Sequence, residues 1–355
     1  MEFGILGLEQ SGKSALFSLL TGHAAAPHGR QAQVGVAHVP DPRLDALAAA
    51  FPGRTVIPAT VRFVDVPAIA RGASQALNLP ELRTMDGLAV VLRGFASEAV
   101  PHPEGQVDPA RDLELLQTEL LLADMAVAST RLARLDREVG KRTAAELAAE
   151  RGALEPCRAA LDAGTPLRQL ELTQEQRRIL KGFTFLTLKP LLVVLNAGEE
   201  AAGDLAGAVT RAGLEYWQHQ PHVVVSAVCA TIEQEIARLA PGDQAAFLAD
   251  LGLPDRALDR VLRAAFDLLG LISFFTVNDA VCRAWPVSAG TSAVKAAGTI
   301  HSDLERGFIR AEVVRWQELV EAGSLATCRA HATLRLEGKD YVVQDGDVVL
   351  VRFHV

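Results

Sequence analysis

The sequence predicts an α/β fold: a parallel sheet covered by helices on both faces, interrupted by a helical insertion and followed by a smaller α+β unit. Three observations carry that expectation. Short unbroken runs of β-branched residues and leucine alternate with stretches of helical spacing, as in strands buried on both faces. Between about residues 112 and 183 the alternation stops and coiled-coil spacing takes over. From residue 273 onward short strands with an Asp-Gly turn surround a short helix.

Each element follows in order. The first strand, residues 3–6, ends in a glycine-bearing turn, after which Leu16, Phe17, Leu19 and Leu20 recur at helical spacing. Further strands are expected at 59–65, 87–92, 191–195 and 222–226. In the insertion, Leu113, Leu116, Leu120, Ala123 and Val127 step by three and four, and the seam then slips to Leu132, Leu135 and Val139. Leu147, Leu154 and Leu161 mark a return helix after Gly140, which Pro156 is expected to break or kink. The C-terminal unit is expected to hold strands at 307–313, 340–343 and 348–353 and a helix at 317–322.

Composition bounds the function. With 355 residues, 49% of them hydrophobic and 22% charged, the chain can bury a core and is not wholly disordered. A net charge of −8 argues against coating nucleic acid or anionic membrane through net charge alone. The start has no basic segment followed by a long apolar stretch, and the longest apolar runs fall far short of the ~20 residues a membrane helix needs. Cys157, Cys229, Cys282 and Cys328 are scattered, with no zinc-like spacing, so neither a metal centre nor a disulfide framework is expected. The expectation is a soluble cytoplasmic protein.

The strongest local signal is residues 7–14, which fit G-x-x-x-x-G-K-S between a predicted strand and a predicted helix. Glycines let successive backbone N–H groups turn toward phosphates, helped by the helix N-terminus. Gly7, Gln10, Ser11, Gly12 and Ala15 would line that cradle, Lys13 would reach the β- and γ-phosphates, and the Ser14 hydroxyl would ligate Mg²⁺. Asp65 ends a predicted strand, where a carboxylate would hold Mg²⁺ through water; a strand-end aspartate can also be a simple turn former.

With these residues the sequence resembles the YchF/Obg-like ATPase family, a branch of the Obg-related translation-factor GTPases. Beyond the P-loop, the resemblance includes Val34-Gly35-Val36, Pro40-Asp41-Pro42-Arg43-Leu44, Arg71-Gly72-Ala73-Ser74 and His102 through Val107-Asp108-Pro109. Its most specific stretches are Phe274-Phe275-Thr276, Gly298-Thr299-Ile300-His301, Gly307-Phe308-Ile309-Arg310-Ala311-Glu312-Val313 and Asp340-Tyr341-Val342-Val343-Gln344-Asp345-Gly346-Asp347. It implies a P-loop G domain in two parts (1–111 and 184–272), a helical coiled-coil insertion (112–183) and a C-terminal TGS domain of β-grasp fold (273–355). It also implies a slow, ribosome-associated ATPase that uses Mg²⁺, with ATP preferred over GTP.

Base choice rests on Asn196-Ala197-Gly198-Glu199, where GTPases carry N-K-x-D and the aspartate reads guanine. Glu199 is longer and no lysine follows the asparagine, which favours ATP; alternatively Asn196 only caps a helix. Cys229 and Ala230 match the family's base-proximal turn, and His102 matches a family histidine that could assist catalysis or be a loop residue with no role.

Departures cluster where the γ-phosphate is sensed. Ala68 replaces a glycine, Gly29 falls where a threonine completes the Mg²⁺ shell, and Ile69 occupies the position of a water-orienting glutamine in Ras-like enzymes. The alternative is therefore a hydrolysis-deficient, nucleotide- or ribosome-binding regulatory module, a divergent paralogue. Lys295, Arg306, Arg310 and Arg315 are candidates for a basic face toward rRNA, and a mixed solvated surface is the bland reading. A monomer is expected, with neither DNA nor membrane as partner.

Overall fold

The computed structural model describes residues 1–23, 32–67, 79–135, 137–138 and 142–354. The expectations for Gly29, Ala68, Ile69 and residues 71–74 lie outside these. The strands described are β1 (Glu2–Leu6), β2 (Gln33–His38), β3 (Thr55–Ile57), β4 (Thr60–Asp65), β5 (Gly87–Gly94), β6 (Leu191–Ala197), β7 (Val223–Val228), β8 (Leu271–Val277), β9 (Val281–Ser288), β10 (Phe308–Arg315), β11 (Arg335–Glu337) and β12 (Asp347–Phe353). The chain divides into two compact units, Met1–Val36 with Arg62–Ala264, and Ala37–Val61 with Ala265–Val355.

The first unit is built on a sheet of order β2-β4-β1-β5-β6-β7. β1 runs parallel to β4 and β5, and β5, β6 and β7 are parallel in turn. Every residue of β6 is buried, which is why its sequence is a continuous apolar run and not an alternating one. β1 through Leu6, β4 through Asp65 and β6 through Ala197 all finish at one end of the sheet, where open α/β sheets bind ligands.

Where the insertion is expected lie helices Pro109–Leu135 and Ala144–Asp162, and the boundary with the sheet domain is not a break in the chain. One continuous helix serves two cores. Leu113, Leu116, Leu120 and Ala123 pack into the sheet's hydrophobic core, whereas Ala128 and Leu135 pack with Ala153, Leu154, Cys157 and Leu161 of the return helix. The slip of the seam read from the sequence is this change of partner. Pro156, expected to break or kink the return helix, sits inside it. The proline removes the N–H that would bond the Gly152 carbonyl, and the Gln176 side-chain amide donates to that carbonyl at 3.4 Å. A capping box between Thr143 and Glu146 starts the helix.

At the amino ends of β5 and β6 lies a buried charged cluster. Asp124, fully buried, accepts from Arg83 at 3.1 Å, the Leu186 N–H at 3.0 Å, the Thr187 N–H at 2.7 Å and the Thr187 hydroxyl at 2.9 Å. Arg168 donates its Nε to the Lys189 carbonyl at 2.9 Å. Burial holds its guanidinium down at about 10 against the pull of Asp124. Burial also lowers Lys189, opposed by Asp86 and Asp124. The cluster joins the foot of the helical hairpin to the strands.

The second unit carries a mixed sheet of order β11-β10-β12-β8-β9-β3. β8 and β9 form an antiparallel hairpin, β12 returns parallel to β8, and β10 lies antiparallel to β12 and β11. Helix Ala293–Ile300 crosses one face, where Ala293, Ala296 and Ala297 pack close to Phe274, Phe308 and Val313. This hairpin, crossover helix and central parallel strand make the β-grasp arrangement. The Asp345-Gly346 turn places Gly346 at φ 87, and a side chain there would also meet the Trp316 ring.

Two details differ from the expectation. The predicted strand at 340–343 is reduced to a single antiparallel bridge, Ser292 to Val342. Residues 37–61 belong with the C-terminal chain: β3 pairs parallel with β9, and Arg43 joins Asp345 at 2.6 Å and lies 5.4 Å from the Phe275 ring centroid.

Candidate phosphate-binding site

The loop between β1 and helix Lys13–Thr21 is shaped by two close approaches. A Cβ on Gly7 would come within 2.7 Å of the Val91 carbonyl oxygen, and one on Gly12 would collide with the Asn196 amide. Gly12 caps the helix in the left-handed region at φ 88 and, being glycine, supplies no side-chain cap. The N–H groups of the first turn therefore face outward from the loop, with the positive end of the helix dipole behind them. Gln10 also takes a positive φ of 63, a conformation that asparagine adopts more readily. Ala15, in the first turn, is half-buried and contributes only backbone polarity.

Two side chains of that first turn converge on one carboxylate. The Lys13 ammonium pairs with Asp65, and the Ser14 hydroxyl donates to the other Asp65 oxygen at 3.3 Å. The Lys13 and Asp65 side chains are each 10% exposed, so the pair is shielded yet open to exchange with solvent. Ser14 and Asp65 supply hard oxygen donors, the chemistry Mg²⁺ selects; a cation with so few protein ligands would take its others from phosphates and water. Among the described residues no three His, Cys, Asp or Glu side chains cluster as an all-protein metal cage.

Asn196 has a job the sequence did not reveal. It sits inside β6, so it is not itself the N-cap residue of a helix. Its amide donates to the Ser11 carbonyl at 3.2 Å and its carbonyl accepts the Ala230 N–H at 3.2 Å. It thereby ties the phosphate loop to the turn after β7, where buried Cys229 caps helix Ala230–Arg238. Glu199, by contrast, is exposed at the start of a short 3₁₀ turn, Glu199–Asp204. The Ser11 hydroxyl is buried with no partner among the described residues.

His102 is not a free base. Its Nε2 lies 2.9 Å from buried Asp112, and its Nδ1 accepts the Glu104 N–H at 3.1 Å. With Nδ1 accepting, the proton resides on Nε2 and is directed to Asp112. Both nitrogens are engaged in fixing the 95–108 loop to the start of helix Pro109–Leu135.

Sequence reading also missed Arg93. It ends β5 opposite Asn196 and is 2% exposed. Its guanidinium donates to the Phe95 and Val100 carbonyls at 3.0 and 2.7 Å and lies 4.7 Å from the Phe95 ring centroid. An arginine in an apolar strand, two residues after the β-branched pair Val90-Val91, carried no motif. Its task is to hold the loop beside the phosphate cradle.

Comparison with known proteins places this geometry. A family model described as YchF-GTPase_C, a protein of unknown function (DUF933), matches residues 271–354. The chain is 36% identical to the ribosome-binding ATPase YchF of Bacillus subtilis and 38% identical to that of Haemophilus ducreyi, in both cases across 99% of each chain. The structure of the Schizosaccharomyces pombe YchF GTPase superposes with a TM-score of 0.86, covering 99% of this chain and 97% of that one at 24% identity.

Proposed function

The chain belongs to the YchF family, and from that premise we propose that it is a slow, ribosome-associated P-loop ATPase of the cytoplasm, binding ATP in preference to GTP. The observation that carries this reading is the convergence of Lys13 and Ser14 on Asp65 at a helix start capped by glycine. An arriving triphosphate competes with Asp65 for the Lys13 ammonium. Its oxygens offer Lys13 more negative charge than one carboxylate does, and the backbone N–H groups of residues 10–15 bind the rest. Once released, Asp65 is free, with Ser14, to hold Mg²⁺. The metal's contribution is to neutralise charge on the β- and γ-phosphates.

The base side supports ATP. Asn196 is committed to the loop and to Ala230, and at the position of the shorter aspartate that pairs with guanine stands Glu199. Cys229 and Ala230 form the adjoining apolar wall. Equilibrium titration of the full chain with fluorescent ATP and GTP analogues, with and without Mg²⁺, tests this. Tighter ATP binding that weakens without Mg²⁺ is expected; equal affinity for both nucleotides would contradict the base assignment.

One observation favours a second reading, a module that binds nucleotide without turning it over. With His102 engaged by Asp112, Lys13 is the candidate catalytic side chain that the described residues bring to the cradle. Hydrolysis is then slow and depends on positioning and charge alone.

A further inference from the structure

The strand that closes one side of the first sheet is only half paired. β7 stands at the end of the order β2-β4-β1-β5-β6-β7. The Leu191 N–H donates to the His222 carbonyl, and the parallel register sets Leu191 against Val223. The bonds to β6 therefore come from His222, Val224, Ser226 and Val228, and the N–H and C=O groups of Val225 and Ala227 point outward. Among the described residues none of these four groups has a partner. Ala227 is only 6% exposed, and a buried main-chain group left unpaired costs about as much as a lost hydrogen bond.

The edge is flanked on both faces of the sheet. Val225 packs on one face with Leu205 and Val209, and Ser226 faces the other side. With Leu253, Pro254 and Arg260 they line a groove of about 440 Å³ along the strand. β7 carries none of the devices that blunt a free edge: residues 223–228 include no charge and no proline, and their register with β6 runs without a bulge. An edge sunk between two flanks cannot meet the equally sunk edge of a second copy. The groups to be satisfied are N–H and C=O pairs two residues apart, the spacing of another extended main chain.

Charge selects the side chains of that segment. Asp204, at the rim, is committed to the Gly207 N–H at 2.8 Å and to Arg211 at 3.0 Å. Arg260 pairs with Asp255 through Nη1 alone, and the same carboxylate holds Arg263 at 2.7 Å. The Nε and Nη2 donors of Arg260 are without a partner among the described residues, ready for a carboxylate. We propose that the β7 edge binds an extended acidic segment of a partner protein, which joins the sheet as a further strand and sets a carboxylate against Arg260.

Two measurements on the full chain test this. In the free protein, hydrogen exchange followed by NMR should show the Val225 and Ala227 amides exchanging about tenfold or more faster than those of Val224 and Ser226. Equal protection would mean that the edge is already paired and would overturn the proposal. The binding probe is a displayed library of random linear peptides selected on the full chain, with the tightest binder then synthesised. Selected peptides should be acidic, with apolar residues at alternate positions. Val225→Pro removes one outward donor and no bond to β6, and should weaken the peptide about tenfold. Arg260→Gln leaves β7 untouched and should weaken it about threefold, with a shallower salt dependence. If Val225→Pro lowers the melting temperature, Arg260→Gln and N-methylated peptides carry the test. Methylating one alternate set of the peptide's amide nitrogens should abolish binding, and methylating the other set should leave it unchanged. A selection without binders, binding that survives both methylated sets, or binding that neither variant weakens would overturn the proposal.

Discussion

The two ends of the first sheet handle buried charge in opposite ways. At the amino ends of β5 and β6, Asp124 is fully enclosed and saturated by four donors, and Arg83, Arg168 and Lys189 surround it. At the carboxyl ends, Asp65 meets one lysine and one serine hydroxyl, and its pair with Lys13 stays 10% exposed. A saturated buried carboxylate cannot change partners without leaving several donors unsatisfied, whereas a thinly partnered one at the surface can. Rigidity is concentrated at the foot of the helical hairpin, and exchangeability at the phosphate cradle.

The sharpest way to break this comparison is Asp124→Ala. Removing the partner of a buried, hydrogen-bonded charge costs about 3–5 kcal/mol, to be read by chemical denaturation. The surviving folded fraction should bind ATP as the wild type does; weakened nucleotide affinity in folded protein would show that the two ends are not separate. Asn196→Ala comes next. It leaves the Ser11 carbonyl and the Ala230 N–H without their partner, a cost of about 1–3 kcal/mol. Because Asn196 belongs to the cradle, we expect nucleotide affinity to fall about tenfold, measured by titration calorimetry.

The smallest effect concerns Cys157. Burial, reinforced by Asp124, pushes its thiol up to about 11 from an ordinary 9.0. A raised folded-state value means a stabilising contribution present below pH 9 and lost as pH climbs toward 11. At pH 8 the native Cys157 thiol should resist iodoacetamide and react only on unfolding; prompt native labelling, read by mass spectrometry, would show that the hairpin core opens.

What the sequence made legible was local. The phosphate loop announces itself because strand, glycines, lysine and helix are consecutive, and β1, β4, β5, β6 and β7 because buried parallel strands read as apolar runs. What stayed hidden depended on partners distant in sequence. Thr55-Val56-Ile57 gives no hint that it pairs with residues 281–283, so residues 37–61 could not be placed in the C-terminal unit. Asn196 read as a base contact because its loop and turn partners lie far from it in the chain. Pro156 read as a breaker because the donor that replaces its lost bond, Gln176, comes from a different helix.

The most direct test of the exchangeable pair is phosphate release from ATP by Lys13→Ala beside the wild type, with thermal unfolding followed in both. The Lys13–Asp65 pair at the cradle predicts turnover that drops to background, about a hundredfold or more, while the melting temperature moves by only a few degrees. Turnover equal to that of the wild type would contradict it and leave the cradle a binding site without chemistry.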